Sequence, residues 1–248
     1  MTPKTARKRL DLLLVERGLA DSREKARAMI LAGEVRIAGQ KVEKAGAPVS
    51  LDAVVEVHSR LQKYSSRAGL KLEGALEDFA LDPAGLVCLD VGSSTGGFTD
   101  CLLQRGAQRV YAVDVTSNQL AWKLQKDPRV VRIEKNARQL QPRDIPEPVD
   151  LVVVDVSFIS VGKILAPVSA LARPVAHLLI LVKPQFELDR GSVGRGGIVR
   201  DPKLHEEAIR RVHAAADRTG LEVLGVRASR LTGAEGNQEY FLLAKKQL

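Results

Sequence analysis

Residues 87–98 read Val87-Cys88-Leu89-Asp90-Val91-Gly92-Ser93-Ser94-Thr95-Gly96-Gly97-Phe98. A short apolar run holding one carboxylate passes into a glycine-rich turn, then into residues that suit a helix from Gly97 toward Gln104. Strand, glycine loop and helix in that order open a nucleotide-binding α/β sheet. Glycine lets a backbone come close to a ligand where a Cβ would collide. The spacing, however, is Gly, three residues, Gly-Gly, and not the G-x-G-x-x-G that packs a pyrophosphate. Asp90 would repel an anion at this loop and suits a cationic ligand.

The alternation continues downstream. Val110 to Val113 is a second strand ending at Asp114, and Val130 to Ile133 a third. Leu151 to Val154 closes on Asp155, and Leu178 to Val182 closes on Lys183. A helix from about His205 to Thr219 precedes Val223 to Ala228 and Tyr240 to Ala244, two strands with no helix between them. Strand–helix alternation predicts a doubly wound, Rossmann-like α/β sheet with a closing hairpin at its edge. In such sheets ligands bind at the carboxyl ends of the strands. Asp155 and Lys183 stand there, and Glu239 opens an antiparallel strand at the same edge. A helix over Lys71 to Phe79 adds a second lysine. Two lysines and two carboxylates converging on one crevice suit the handling of a proton; edge salt bridges are the alternative.

Asp114 lies 22 residues after Gly92 and is placed for ribose hydroxyls. A ligand with a ribose, a positive charge and no phosphate at this loop is S-adenosylmethionine, against the alternative of a structural tight turn. The expected cofactor contacts are Asp90, Gly92, Ser93, Ser94, Thr95, Gly96, Gly97, Phe98 and Asp114, with Asn136, after the third strand, near the adenine. Trp122 and Phe158 are expected in the core. Gly191 to Gly197, with Arg190 and Arg195, suggests a flexible basic loop.

The 248 residues carry a net charge of +8, and half of that surplus lies in residues 1–60, with twelve basic against eight acidic side chains. A basic segment ahead of an ordinary domain points to a polyanion partner. Leu10, Leu13, Leu14 and Arg17 fit one helical face stopped by Gly18. Asp21 with Glu24 predicts the cap of a second helix, burying Ala26, Met29 and Ile30 and ending at Gly33. Strands are expected at Val35 to Ile37, Lys41-Val42 and Val54 to Val57. This small α+β unit places Arg9, Arg23, Lys25, Arg27 and Arg36 as RNA-binding candidates, with Arg67 in the linker. The expected division is an RNA-binding domain over 1–60, a linker over 61–70 and a catalytic domain over 71–248.

Cys88 and Cys101 have no metal-ligand or disulfide spacing and read as core thiols of a reducing compartment. Met1 to Arg9 has no apolar segment of the signal-peptide kind. The most apolar stretch, Ile164 to Val182, is broken by Arg173, Pro174 and His177. A cytoplasmic protein with neither metal nor membrane partner is expected; oligomeric state is not readable.

Residues 9–42, RLDLLLVERGLADSREKARAMILAGEVRIAGQKV, resemble the S4 domain of ribosomal and rRNA-modifying proteins. With YSSRAGLKL, LDVGSSTGGFTDCLL, VDLVVVDVSFIS, LVKPQFELDRGSVGRGGIVRDP and GAEGNQEYFLL, roughly residues 8–245 resemble the TlyA family, an S4 domain before an FtsJ/RrmJ-like domain. Ser65, Ala68 and Thr116-Ser117-Asn118 depart from the family's usual residues. The resemblance implies that Lys71, Asp155, Lys183 and Glu239 form a Lys-Asp-Lys-Glu tetrad for 2′-O-methyl transfer. It implies a cytidine ribose of ribosomal RNA as substrate, in large-subunit 23S rRNA ahead of 16S. Lys183 would act as a neutral base or as a charged stabiliser of the oxyanion. A non-catalytic ribosome-assembly factor and a membrane-lytic haemolysin are the alternatives.

Overall fold

The structure is a computed structural model that describes residues 7–20, 22–57, 63–233 and 235–247. The chain forms two compact units, Met1–Lys63 and Tyr64–Leu248.

In the first unit, β1 (Arg7–Arg9) leads into α1 (Leu10–Glu16), then come α2 (Arg23–Leu31), β2 (Val35–Ile37), β3 (Gln40–Lys41), β4 (Pro48–Ser50) and β5 (Val55–Val57). Strands β3, β2 and β5 form one antiparallel sheet, and β1 pairs with β4 in a second that sequence alone did not suggest. Leu10, Leu14, Ala26, Ile30 and Val35 make its core, with Met29 packed at the margin. The cap of α2 is Ser22, whose Oγ accepts from the Lys25 amide at 3.2 Å; Asp21 lies outside the described residues.

The second unit runs α3 (Ala68–Asp78), β6 (Val87–Val91), α4 (Gly97–Gln104), β7 (Arg109–Asp114), α5 (Trp122–Gln125), β8 (Val130–Glu134), β9 (Val149–Val154), α6 (Leu165–Ser169), β10 (Ala172–Val182), α7 (Pro184–Glu187), α8 (Pro202–Arg218), β11 (Leu221–Ala228) and β12 (Tyr240–Lys246). Its seven strands order as β11-β12-β10-β9-β6-β7-β8. The five from β10 to β8 are parallel, and β12 is antiparallel to both neighbours. This is a doubly wound α/β sheet with the hairpin at one edge.

Side chains alternate between the faces of a strand, and the two cores follow that alternation. Val87, Leu89, Val91, Val152, Val154, Ile180, Val182 and Leu242 pack on one face. Cys88, Leu151, Val153, Leu179, Leu181, Phe241 and Leu243 pack on the other, under Leu72 and Leu76 of α3 and Phe98 and Leu102 of α4.

Residues 64–70 are not a free linker. Tyr64 is buried in the second core, the Ser65 amide and hydroxyl donate to Asp100 at 2.6 and 2.8 Å, and α3 starts three residues before Lys71. His58 to Gln62 lie outside the described residues.

Candidate active site

The face assignment collects the charged candidates. Asp90 shares its face with Cys88, and Asp114 shares its face with Val110. Asp155 continues Leu151 and Val153, Lys183 continues Leu179 and Leu181, and Glu239 precedes Phe241 and Leu243 at even spacing. All five therefore emerge on the face covered by α3 and α4, at the carboxyl edge of the parallel strands.

Two ion pairs form there. Lys71 Nζ, from α3, lies 2.5 Å from Glu239 Oε2, and both residues are buried. Lys183 Nζ lies 2.6 Å from Asp155 Oδ1 and donates to Ser157 Oγ at 2.9 Å. Asp155 Oδ1 is buried and has this ion pair but no hydrogen-bond partner. Val182 pairs with Tyr240 across β10 and β12. One further step of that antiparallel register sets Lys183 opposite Glu239, so the two ion pairs adjoin.

Asp90 is fully buried. Its Oδ2 accepts from Thr99 Oγ1 at 2.6 Å, while Oδ1 has no partner. Burial pushes this carboxyl up to about 7 against the pull of the Thr99 hydroxyl, and the Asp155 and Asp114 charges push the same way. A shielded acceptor oxygen without a donor is costly, and it fits a ligand bearing positive charge or N–H donors. Asp114, at the end of β7, accepts from the Ser94 amide through Oδ2 at 2.9 Å and from the Thr116 amide through Oδ1 at 3.2 Å. Its carboxylate thereby braces the loop after β6.

The glycines of that loop serve the protein's own packing more than a ligand's approach. A Cβ on Gly92, at φ +87°, would stand 2.2 Å from the Asp155 carbonyl oxygen; one on Gly97 would stand 2.2 Å from Ser66 Oγ. Glycine at 92 is what lets the loop pass the end of β9 and brings Asp90 and Asp155 together. Gly96 packs on Leu120 and Leu124, Ser93 is buried, and the Thr95 carbonyl receives the Ala121 amide. Phe98 is a core residue with its ring centroid 6.2 Å from that of Phe241. Asn136 is half-buried, with Oδ1 accepting from the Arg138 amide at 3.0 Å.

Several expectations are corrected. Trp122 and Phe158 are 69 % and 92 % exposed, not core. Leu124 fills the slot under α5 in place of Trp122, and a φ of +64° turns Phe158 outward against Phe186, 5.1 Å away. Arg9 and Arg23 are half exposed and also serve the fold of the first unit. Both bond to Asp11, which is fully buried and whose carboxyl is held well below the usual range, first by the Arg9 guanidinium. Arg67 donates to the Thr232 and Gly233 carbonyls, and Arg36 to the Gly39 carbonyl. Lys25 and Arg27 are exposed. Residues 190–192 and 195–197 form short 3-10 turns, and Asn237 holds the end of the loop, accepting from the Val199 amide and donating to the Gly197 carbonyl at 2.8 Å each. The side chains of Arg190 and Arg195 lie outside what is described. Thr99 and Ser157 were missed, although Thr99 one turn into α4 and Ser157 two residues past Asp155 occupy readable positions.

An FtsJ-like methyltransferase model matches residues 64–246 and an S4-domain model residues 8–55. The chain belongs to the FtsJ-like methyltransferase family. Within it, the 16S/23S rRNA (cytidine-2′-O)-methyltransferase TlyA of Mycobacterium tuberculosis is 48% identical over 97% of this chain and 91% of its own length. A solved chain from Streptococcus thermophilus that carries a hemolysin name superimposes with a TM-score of 0.76 at 38% identity, over 98% of this chain and 90% of that one. An S-adenosylmethionine-dependent methyltransferase from Mesorhizobium loti shares the fold, with a TM-score of 0.54 at 16% identity over 73% of this chain and all of its own. Among the described residues no helix of this FtsJ-like chain is long and apolar enough to cross a membrane.

Proposed function

We propose that the protein transfers a methyl group from S-adenosylmethionine to the ribose 2′-hydroxyl of a cytidine in ribosomal RNA, in the cytoplasm. The observation that carries this is the adjoining of two lysine–carboxylate pairs, Lys71–Glu239 and Lys183–Asp155, beside the loop after β6. When bound, S-adenosylmethionine supplies a methyl already activated on a sulfonium. The partnerless Asp90 Oδ1 fits a cation or an N–H donor, and Asp114 at the next strand end suits ribose hydroxyls.

The chain's own residues then handle the nucleophile. A ribose hydroxyl is a weak nucleophile near neutrality, so its proton must leave as the oxygen takes the methyl. Lys183 Nζ, fixed by Asp155 and Ser157, is the group that meets that oxygen. With a carboxylate 2.6 Å away, we assign it the part of an ammonium donor stabilising the developing oxyanion. The hydroxyl proton passes to the Asp155 carboxylate, the one group of the pair that can accept it while Lys183 stays an ammonium. Lys71, tied to Glu239, adds positive charge to the same crevice.

Labelled cofactor with isolated ribosomal subunits tests the reading. Label on a cytidine 2′-oxygen of 23S rRNA is expected; label in 16S rRNA as well would match the dual name of the M. tuberculosis relative, and label in neither overturns the assignment.

Asp90 gives a pH signature. A carboxyl at about 7 in the free protein must ionise to hold a cation, so below that pH binding expels a proton. Affinity for the cofactor is expected to rise about tenfold per pH unit at most up to neutrality and to level off above it. For the free protein the sign is opposite. The folded carboxyl binds its proton more tightly than the unfolded one, so stability falls as pH rises from about 4 to about 7. Calorimetry at pH 6 and 8 checks the first trend; Asp90→Asn should bind weakly with no pH dependence.

A further inference from the structure

An open cleft of about 1030 Å³ is lined by the segments that follow Asp155 and Lys183 in the chain. Its near wall carries Phe158, three residues past Asp155, and Gln185, two residues past Lys183; its far wall is α8. The floor is built rather than loose. Buried Glu187 accepts from Ser160 Oγ at 2.6 Å and from the Val161 amide at 2.8 Å, locking the segment after β9 onto α7.

Arg138, Lys163, Arg211 and Arg218 line this cleft. Arg211 is committed, donating to the Glu187 carbonyl, Asp189 and Glu207. The side chains of Arg138, Lys163 and Arg218 are exposed and have no ion pair or hydrogen bond among the described residues. Elsewhere on this unit Arg105, Arg109, Arg129, Arg173, Arg210 and Arg230 all meet carboxylates. Three cations with no carboxylate partner among the described residues thus share one concavity, whereas Lys203 and Arg227, also without a carboxylate partner, lie outside it. Gln185, which also lines the cleft, adds a shielded Oε1 with no donor.

We infer that this cleft is a second RNA subsite, holding the sugar-phosphate backbone of nucleotides that flank the methylated ribose, with Lys163 and Arg218 on phosphates and Gln185 accepting from a sugar hydroxyl. The inference rests on the methyltransfer reading of the adjoining site. Its volume suits one or two nucleotides, and phosphate contacts of this kind position a strand without reading its bases.

The test is fluorescence anisotropy of the full-length protein with a labelled 12-nucleotide single-stranded RNA, titrated across salt. The double variant Lys163→Ala, Arg218→Ala should bind about tenfold more weakly, with the slope of log K against log salt smaller by about 1.4. A charge-matched control, Lys203→Ala with Arg227→Ala, should bind like the parent. Equal losses in both variants, or no loss in either, overturn the subsite. Because the assay needs no methyl transfer, it separates the two readings. A parent that binds through the cleft but labels no rRNA sinks the methyltransfer assignment alone. A double variant that binds and labels like the parent sinks the subsite alone.

Discussion

Lys183→Ala is expected to lower methyl transfer by about 10²–10³-fold, the usual consequence of removing one preorganised donor from a developing oxyanion. Cofactor affinity should stay within about threefold of the parent, because the shielded acceptor of Asp90 and the loop braced by Asp114 remain. Single-turnover transfer with labelled cofactor reads the first quantity and calorimetry the second. Near-parental turnover would remove Lys183 from the chemistry. Loss of cofactor binding with loss of turnover would make its role structural, since Asp155 would then have needed its partner to stay in place.

Glu239→Ala should be the most destabilising single change at the site. It strands the Lys71 ammonium where both partners are buried, and breaking such a pair costs about 3–5 kcal/mol. For a unit of this size that corresponds to a melting temperature lower by on the order of 10 °C. The double variant Lys71→Met, Glu239→Leu removes both charges and should recover most of the lost stability, yet transfer no methyl. Thermal unfolding by circular dichroism distinguishes these cases. A single variant that melts within about 2 °C of the parent would show that the pair is not held out of water.

The sheet was readable in the sequence because each parallel strand is an apolar run ending in a charged or glycine residue, and the polar ends mark the ligand edge. Asp155, Lys183 and Glu239 stand out from that pattern; Lys71, on α3, marks no strand end and joins them through its ion pair with Glu239. What was not readable depends on partners distant in the chain. Ser65 and Ser66 look like linker residues until Asp100 and Gly97 meet them. Arg9 and Arg23 give no hint in the sequence that both bond to the buried carboxylate of Asp11. Aromatic character argued for burying Trp122 and Phe158, but a four-residue helix has room to bury only Leu124, and one positive φ is enough to put Phe158 in solvent. Phe98, next to the glycines, gave no sign that its ring packs beside Phe241.

The even spacing of Asp90, Asp155, Lys183 and Glu239 from the core residues of their strands limits how this gene can drift in length. Inserting or deleting one codon within β9, β10 or β12 would turn the terminal charge onto the opposite side of the sheet while leaving the apolar composition almost unchanged. Such a chain would keep its hydrophobicity and lose its chemistry. Indels compatible with activity should therefore collect in the connections, and any inside these strands should come in pairs of residues.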